Sequence, residues 1–150
     1  MKLIIVSGRS GSGKSTALHV LEDLGFYCID NLPIGLLVPL TQEAADQSSP
    51  GRLAKMAVSI DARNLSGELS NFETLHNRLQ QIGATVEIIY LDADEQSLLR
   101  RFHATRRKHP LRDDDTSLTE AIRYEKKLLE PIAQLADLLG DVEAENRHLV

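Results

Sequence analysis

Cysteine is almost missing from this chain: there is one, Cys28, and there is no tryptophan. A single thiol excludes an internal disulfide, and its apolar surroundings, Phe26 to Ile29, suit a small buried hydrophobe. Positive charge is also short. Lys plus Arg number 17 against 22 Asp plus Glu, a net charge of −5, so the chain has no global attraction to nucleic acid or to an anionic membrane. Any RNA contact would need a local basic patch. No run of 18 apolar residues occurs, and the apolar start, Met1 to Val6, is too short for a signal peptide, so no membrane association and a cytoplasmic location are expected. Internal repeats and low-complexity tracts are absent too. What is left is 150 residues with an ordinary 42% apolar content, one domain with enough material to bury a core.

The most informative stretch is GRSGSGKS, Gly8 to Ser15, which fits G-x-x-x-x-G-K-[ST] with Gly8, Gly13, Lys14 and Ser15 at the fixed places. Small residues let successive backbone N–H groups turn inward around a phosphate, where a side chain at Gly11 or Gly13 would obstruct it. Lys14 is then in reach of the β- and γ-phosphates, and the Ser15 hydroxyl is placed to ligate Mg²⁺. The flanks agree. Leu3 to Val6 reads as a buried parallel strand, and Ala17, Leu21 and Leu24 form one face of a helix that stops at Gly25. Strand, glycine turn and helix N-terminus together present aligned amides to an anion.

Further along, Phe26 to Ile29 predicts a second strand ending at Asp30, with Asn31, Leu32 and Pro33 turning the chain. Asp30 is either a ligand-side residue at a strand's carboxyl end or a cap for the next segment. Pro39 opens a short helix through Ala45. Ala57 to Ile60 reads as a third strand that ends in Asp61, Ala62, Arg63 and Asn64; Val86 to Leu91 reads as a later one that ends in Asp92. An acid on the Mg²⁺ side must project from a strand end, which leaves Asp61, preferred, and Asp92. Phe72, Leu75, Leu79 and Ile82 predict a crossover helix closing at Gly83, with His76 on its surface.

After Asp92, Leu98, Leu99 and Phe102 anchor a helix, and Arg100, Arg101, Arg106, Arg107, Lys108, His109 and Arg112 crowd together. Three readings stay open. The run is a solvated helix face, a contact surface for RNA or protein, or a lid whose Arg106 and Arg107 stabilise charge on a transferring phosphoryl group. Leu118 to Leu135 predicts a helix with Leu118, Ile122, Leu129 and Ile132 inward and Glu125 and Lys126 outward; Ala136 to Leu139 predicts a fifth strand weakened by Gly140. The expected fold is therefore α/β: a phosphate-loop NTPase of small-molecule-kinase build, about five parallel strands flanked by helices.

Four blocks carry a narrower signal: LEDLGFYCIDNLP (Leu21 to Pro33), SIDARN (Ser59 to Asn64), YLDAD (Tyr90 to Asp94) and TRRKHPL (Thr105 to Leu111). With the loop they resemble the RapZ/YvcJ family of bacterial RNase adapter and nucleotide-binding proteins. The resemblance implies ATP binding by Gly8, Arg9, Ser10, Gly11, Ser12, Gly13, Lys14 and Ser15, GTP contact at Asp61, Ala62, Arg63 and Asn64, and weak nucleotide hydrolysis. For enterobacterial members it also implies a homo-oligomer that presents a small RNA to RNase E. Family members run to roughly twice this length, so the chain is expected to be an N-terminal domain without the half tied to RNA and metabolite binding. Its end, GDVEAENRHLV, lacks the strand-like ending of that pattern.

Two functions follow. One is a regulatory domain that binds ATP or GTP with Mg²⁺. The other is a small-molecule kinase, in which Asp30 or Asp61 places an acceptor hydroxyl and Arg106 or Arg107 neutralises charge. The family blocks favour the first, and the loop alone would favour the second. No Asn/Thr-Lys-x-Asp element selects guanine, and no acceptor motif is recognisable.

Overall fold

The computed structural model describes residues 1–46, 53–61, 72–105, 109–111 and 117–141. Five strands, β1 (Lys2–Gly8), β2 (Tyr27–Ile29), β3 (Lys55–Ser59), β4 (Thr85–Asp92) and β5 (Leu138–Asp141), form one parallel sheet in the order β2-β3-β1-β4-β5. Helices α1 (Lys14–Asp23), α2 (Leu37–Ala45), α3 (Phe72–Ile82), α4 (Glu95–Thr105) and α5 (Leu118–Gln134) connect them. A 3₁₀ turn, Ile34–Leu36, leads into α2.

Alternation along β1 splits its side chains between the two faces of the sheet. Ile4 and Val6 meet Leu18 and Leu21 of α1, with Ala57 and Leu91. Leu3 and Ile5 face the larger core with Phe72, Leu79, Leu129 and Ile132 of α3 and α5. Both faces are covered, which is why β1 reads as an unbroken apolar run. A third cluster, Ala93, Leu98, Phe102, Leu118 and Ile122, joins α4 to α5.

All strands being parallel, their carboxyl ends lie along one edge. β1 pairs with β3 on one side and β4 on the other, and the chain leaves β1 for β2 by way of α1, then crosses to β4 by way of α3. That reversal around β1 makes a crevice beyond its carboxyl end, the place where ligands sit in open α/β sheets.

The expected elements are present, with shifted ends. Helix α2 starts at Leu37, so Pro39 lies in its first turn, where a missing N–H costs nothing. The last strand is Leu138–Asp141 and includes Gly140, whose backbone pairs with Leu91 without needing a side chain. His76 is half-buried, not superficial. The larger correction concerns Glu125. It was expected outward with Lys126, yet its side chain is fully buried, on the same helical stripe as Leu118, Ile122, Leu129 and Ile132. Charge argued for solvent; spacing placed it inside, and its partners lie in other segments. Among the described residues no helix is long and apolar enough to cross a membrane.

Candidate functional site

β1 ends in Gly8, which adopts a φ of 147° and runs so close to β4 that a Cβ there would lie 2.0 Å from the Leu91 carbonyl oxygen. Past it the chain coils tightly, and the Ser12 N–H reaches the Arg9 carbonyl at 3.0 Å. Gly13 has φ 103° and ψ 22° and begins α1 with no side-chain cap; no acid occurs in the first turn. The helix N-terminus therefore brings amide donors that no side chain caps, and the positive end of its dipole, to the crevice. Above this turn the Lys14 Nζ donates to the Gly8 carbonyl at 2.8 Å.

Two sets of contacts hold the loop from outside. Arg9 donates through Nε to Asp92 Oδ1 at 2.7 Å and through Nη2 to the Ala93 carbonyl at 2.5 Å. Ser10 donates its backbone N–H and its hydroxyl to the two oxygens of Glu125, at 2.7 and 2.6 Å. Arg101 on α4 donates to the Gly11 carbonyl.

Beside the loop stands an acidic corner. The Ser15 hydroxyl donates to Asp30 Oδ2 at 3.3 Å, the Ser59 hydroxyl donates to Asp30 Oδ1, and the Asn31 N–H donates to Ser59 Oγ at 2.8 Å. Asn31 makes that turn with a φ of 53°, a left-handed conformation that asparagine tolerates better than most residues. Asp61, 5% exposed, closes the corner. A cleft of about 550 Å³ runs from loop residues Ser10 to Thr16 past Asp30, Asn31 and Asp61; its opposite wall is Arg101, Phe102, Ala104 and Pro110.

Gly8 to Ser15 thus fold into one turn at the cleft, and Asp61 lies on its rim. Asp92 is turned away and engaged by Arg9. Burial, and then the Asp92 carboxylate, push the neighbouring Tyr90 phenol above its ordinary range, so it stays protonated. Ala62, Arg63, Asn64, Arg106 and Arg107 lie outside the described residues. Sequence alone singles out no individual role for Arg101, Ser59 or Glu125. Arg101 had a usable signal, its place beside Phe102 in the basic run. The Ser59–Asp30 contact had none, because it depends on β2 and β3 being neighbours. Cys28 is half-buried, its thiol raised by burial and then by Glu22, in keeping with an inert packing role.

Residues 1–148 match a family model described as the RapZ-like N-terminal domain. The chain belongs to this family. A nucleotide-binding protein of Marinobacter nauticus is 80% identical to this RapZ-like domain over 138 residues, 92% of the chain and 47% of the relative. One of Hahella chejuensis is 67% identical over 141 residues, 94% of the chain and 49% of the relative. The chain therefore spans about half the length of the curated relatives it matches. Among solved structures, YorR of Bacillus subtilis, in complex with phosphorylated GDP, superposes with a TM-score of 0.60 at 18% identity, covering 93% of this chain and 85% of that one. Shikimate kinase of Acinetobacter baumannii gives 0.52 at 19% identity, covering 92% and 82%. At these identities the likeness is one of fold.

The RapZ-like loop fits an anion and a hard cation on its own geometry. Ser12 Oγ is buried without a hydrogen-bond partner among the described residues, so the loop as it stands leaves a polar atom unmatched. The oxygen donors Ser15, Asp30 and Asp61 share one cleft, while no cluster of three or more His, Cys, Asp or Glu able to hold a metal occurs among the described residues. Few protein oxygens beside a phosphate site is the usual provision for Mg²⁺, which keeps waters and takes its remaining ligands from phosphate.

Proposed function

We propose that this RapZ-like domain binds ATP or GTP with Mg²⁺ in the cleft, hydrolyses it slowly, and serves as the nucleotide-responsive part of an RNase adapter that directs small-RNA processing with RNase E, as a homo-oligomer. One observation carries the nucleotide part: the uncapped N-terminus of α1, with Lys14 above it, opens beside the Ser15–Asp30 pair. The amides of the loop and Lys14 receive the phosphates. Ser15 and Asp61, with Asp30 next to them, hold the cation, which when bound draws charge off the phosphate oxygens. Arg101 brings a guanidinium to the loop. Arg106 and Arg107, which follow α4 in the chain, are further candidates for neutralising charge on the transferring phosphoryl group, and Ala62, Arg63 and Asn64 for nucleotide contact. The adapter role rests on family membership, and the relatives' name supports the ligand.

A second reading is supported by Asp30 and Asn31 on the cleft wall, where an acceptor hydroxyl would meet a carboxylate. In that reading the domain is a small-molecule kinase. A turnover assay with ATP and GTP, alone and with a panel of sugars and nucleosides, separates the two. Slow turnover indifferent to every acceptor is expected; phosphate appearing on an acceptor would replace the regulatory reading with the kinase.

Asp30→Asn tests the cation side. Asn keeps an acceptor for the Ser59 hydroxyl but loses the charge. The Mg²⁺ concentration needed for half-maximal nucleotide binding should rise about tenfold, the effect of one charge-assisted contact. An unchanged Mg²⁺ titration would remove Asp30 from the site.

A further inference from the structure

The buried carboxylate of Glu125 has no part in the chemistry proposed above, yet it is matched by donors from two separate segments. Oε1 accepts the Ser10 N–H at 2.7 Å and lies 3.1 Å from His109 Nε2, while Oε2 accepts the Ser10 hydroxyl at 2.6 Å. The tautomer of His109 follows from its other nitrogen. Nδ1 accepts the Leu111 N–H at 3.1 Å, so the ring proton sits on Nε2 and is donated to Glu125. His109 is itself 1% exposed and packs against Phe102, ring centroids 5.1 Å apart, at the wall of the cleft.

An apolar side chain at this point of α5 would continue the stripe of Leu118, Ile122 and Leu129 and would spare the cost of burying a charge. What an apolar residue could not do is grip a loop residue by both its amide and its hydroxyl. Ser10 stands two residues after Gly8 and immediately before Gly11, whose carbonyl is held by Arg101. With its N–H committed to Glu125, Ser10 turns that donor away from the cleft and leaves the amides beyond it for a ligand.

We propose that Glu125, backed by His109, is a positioning residue of the phosphate loop: by fixing Ser10 it sets the turn that aims the amides from Gly11 to Ser15 into the cleft. This role rests on the nucleotide-binding reading and assigns how the loop is kept ready. It is a matter of reach and hydrogen bonding, not of charge. In Glu125→Gln the amide oxygen still accepts both the Ser10 N–H and the His109 proton, and the new NH₂ donates to Ser10 Oγ, whose own proton turns elsewhere. In Glu125→Asp the charge stays but the carboxylate retracts by one methylene and cannot hold Ser10 and His109 in place together.

The probe is inorganic triphosphate with Mg²⁺, titrated calorimetrically into the 150-residue chain, with thermal melting alongside. Glu125→Gln should bind within about threefold of wild type, whereas Glu125→Asp, assayed well below a melting temperature that falls because Ser10 and His109 lose a buried partner, should lose about tenfold or more. Equal affinity of Glu125→Asp and wild type would overturn the proposal and leave nucleotide binding standing. So would a loss in Glu125→Gln as large as in Glu125→Asp, since charge would then be the active property. Should the Asp variant fail to fold, Ser10→Ala decides: it deletes one arm of the grip and leaves Glu125 Oε2 without its donor, so the melting temperature falls, and the folded chain should bind triphosphate about three- to tenfold more weakly. Wild-type affinity in Ser10→Ala would overturn the role. A wild-type chain that binds no triphosphate would remove the nucleotide reading and this role together.

Discussion

Lys14→Ala is expected to lower nucleotide affinity by about one to two orders of magnitude, the equivalent of roughly 1.5 to 3 kcal/mol for a hydrogen bond to a charged group. The ammonium group lies over the loop, donating to the Gly8 carbonyl at 2.8 Å. A triphosphate entering the turn offers it charged oxygens in place of that neutral one, and the alanine variant forfeits the difference. Because the same lysine is only half-buried, its loss should disturb folding by about 1 kcal/mol at most. Calorimetry and thermal melting on one preparation separate the two effects. Unchanged nucleotide affinity in a folded Lys14→Ala chain would end the assignment of the loop as the phosphate site.

Gly8→Ala acts on the same turn through packing. A Cβ there would lie 2.0 Å from the Leu91 carbonyl oxygen, 2.9 Å from the Leu91 carbonyl carbon and 2.9 Å from Ser12 Oγ. The Ser12 hydroxyl could move; the Leu91 backbone cannot, since β4 is paired with β1 on one side and β5 on the other. Backbone strain at φ 147° adds to the clash. Each contributes about 1 to 3 kcal/mol, so a total loss of roughly 3 kcal/mol or more is expected, against a typical domain stability of about 5 to 15. At a urea m-value of about 2 kcal/mol/M the midpoint should fall by about 1.5 M. Gly25→Ala is the control: φ is 95° but nothing lies within 4 Å, so only conformational strain of about 1 to 2 kcal/mol applies. If the two variants unfold at the same urea concentration, the close approach of β1 to β4 is not what requires glycine at position 8.

Much of this molecule was legible before any coordinates. The unbroken apolar run of Leu3 to Val6, the 3.6-residue spacing of Leu118, Ile122, Leu129 and Ile132, and the glycines at turns are local patterns, and each element they predicted is present within a few residues. Their ends moved where backbone pairing overrode side-chain preference, as at Gly140 in β5. Glu125 was misread for a physical reason. A charge on an apolar stripe is ordinarily solvated, and its burial becomes affordable only through Ser10 and His109, which no window around position 125 contains.

By itself, then, the sequence determined the phosphate loop, its strand and helix, and the α/β class, because the spacing of glycines, the lysine and the apolar residues acts over a few positions along the chain. Tertiary structure alone decided which side chains work with that loop. Arg9 meets Asp92 across 83 residues and Asp30 meets Ser59 across 29 because parallel strands deliver their carboxyl ends to one edge, and Ser10 meets Glu125 across 115 because α5 packs its inward stripe against β1.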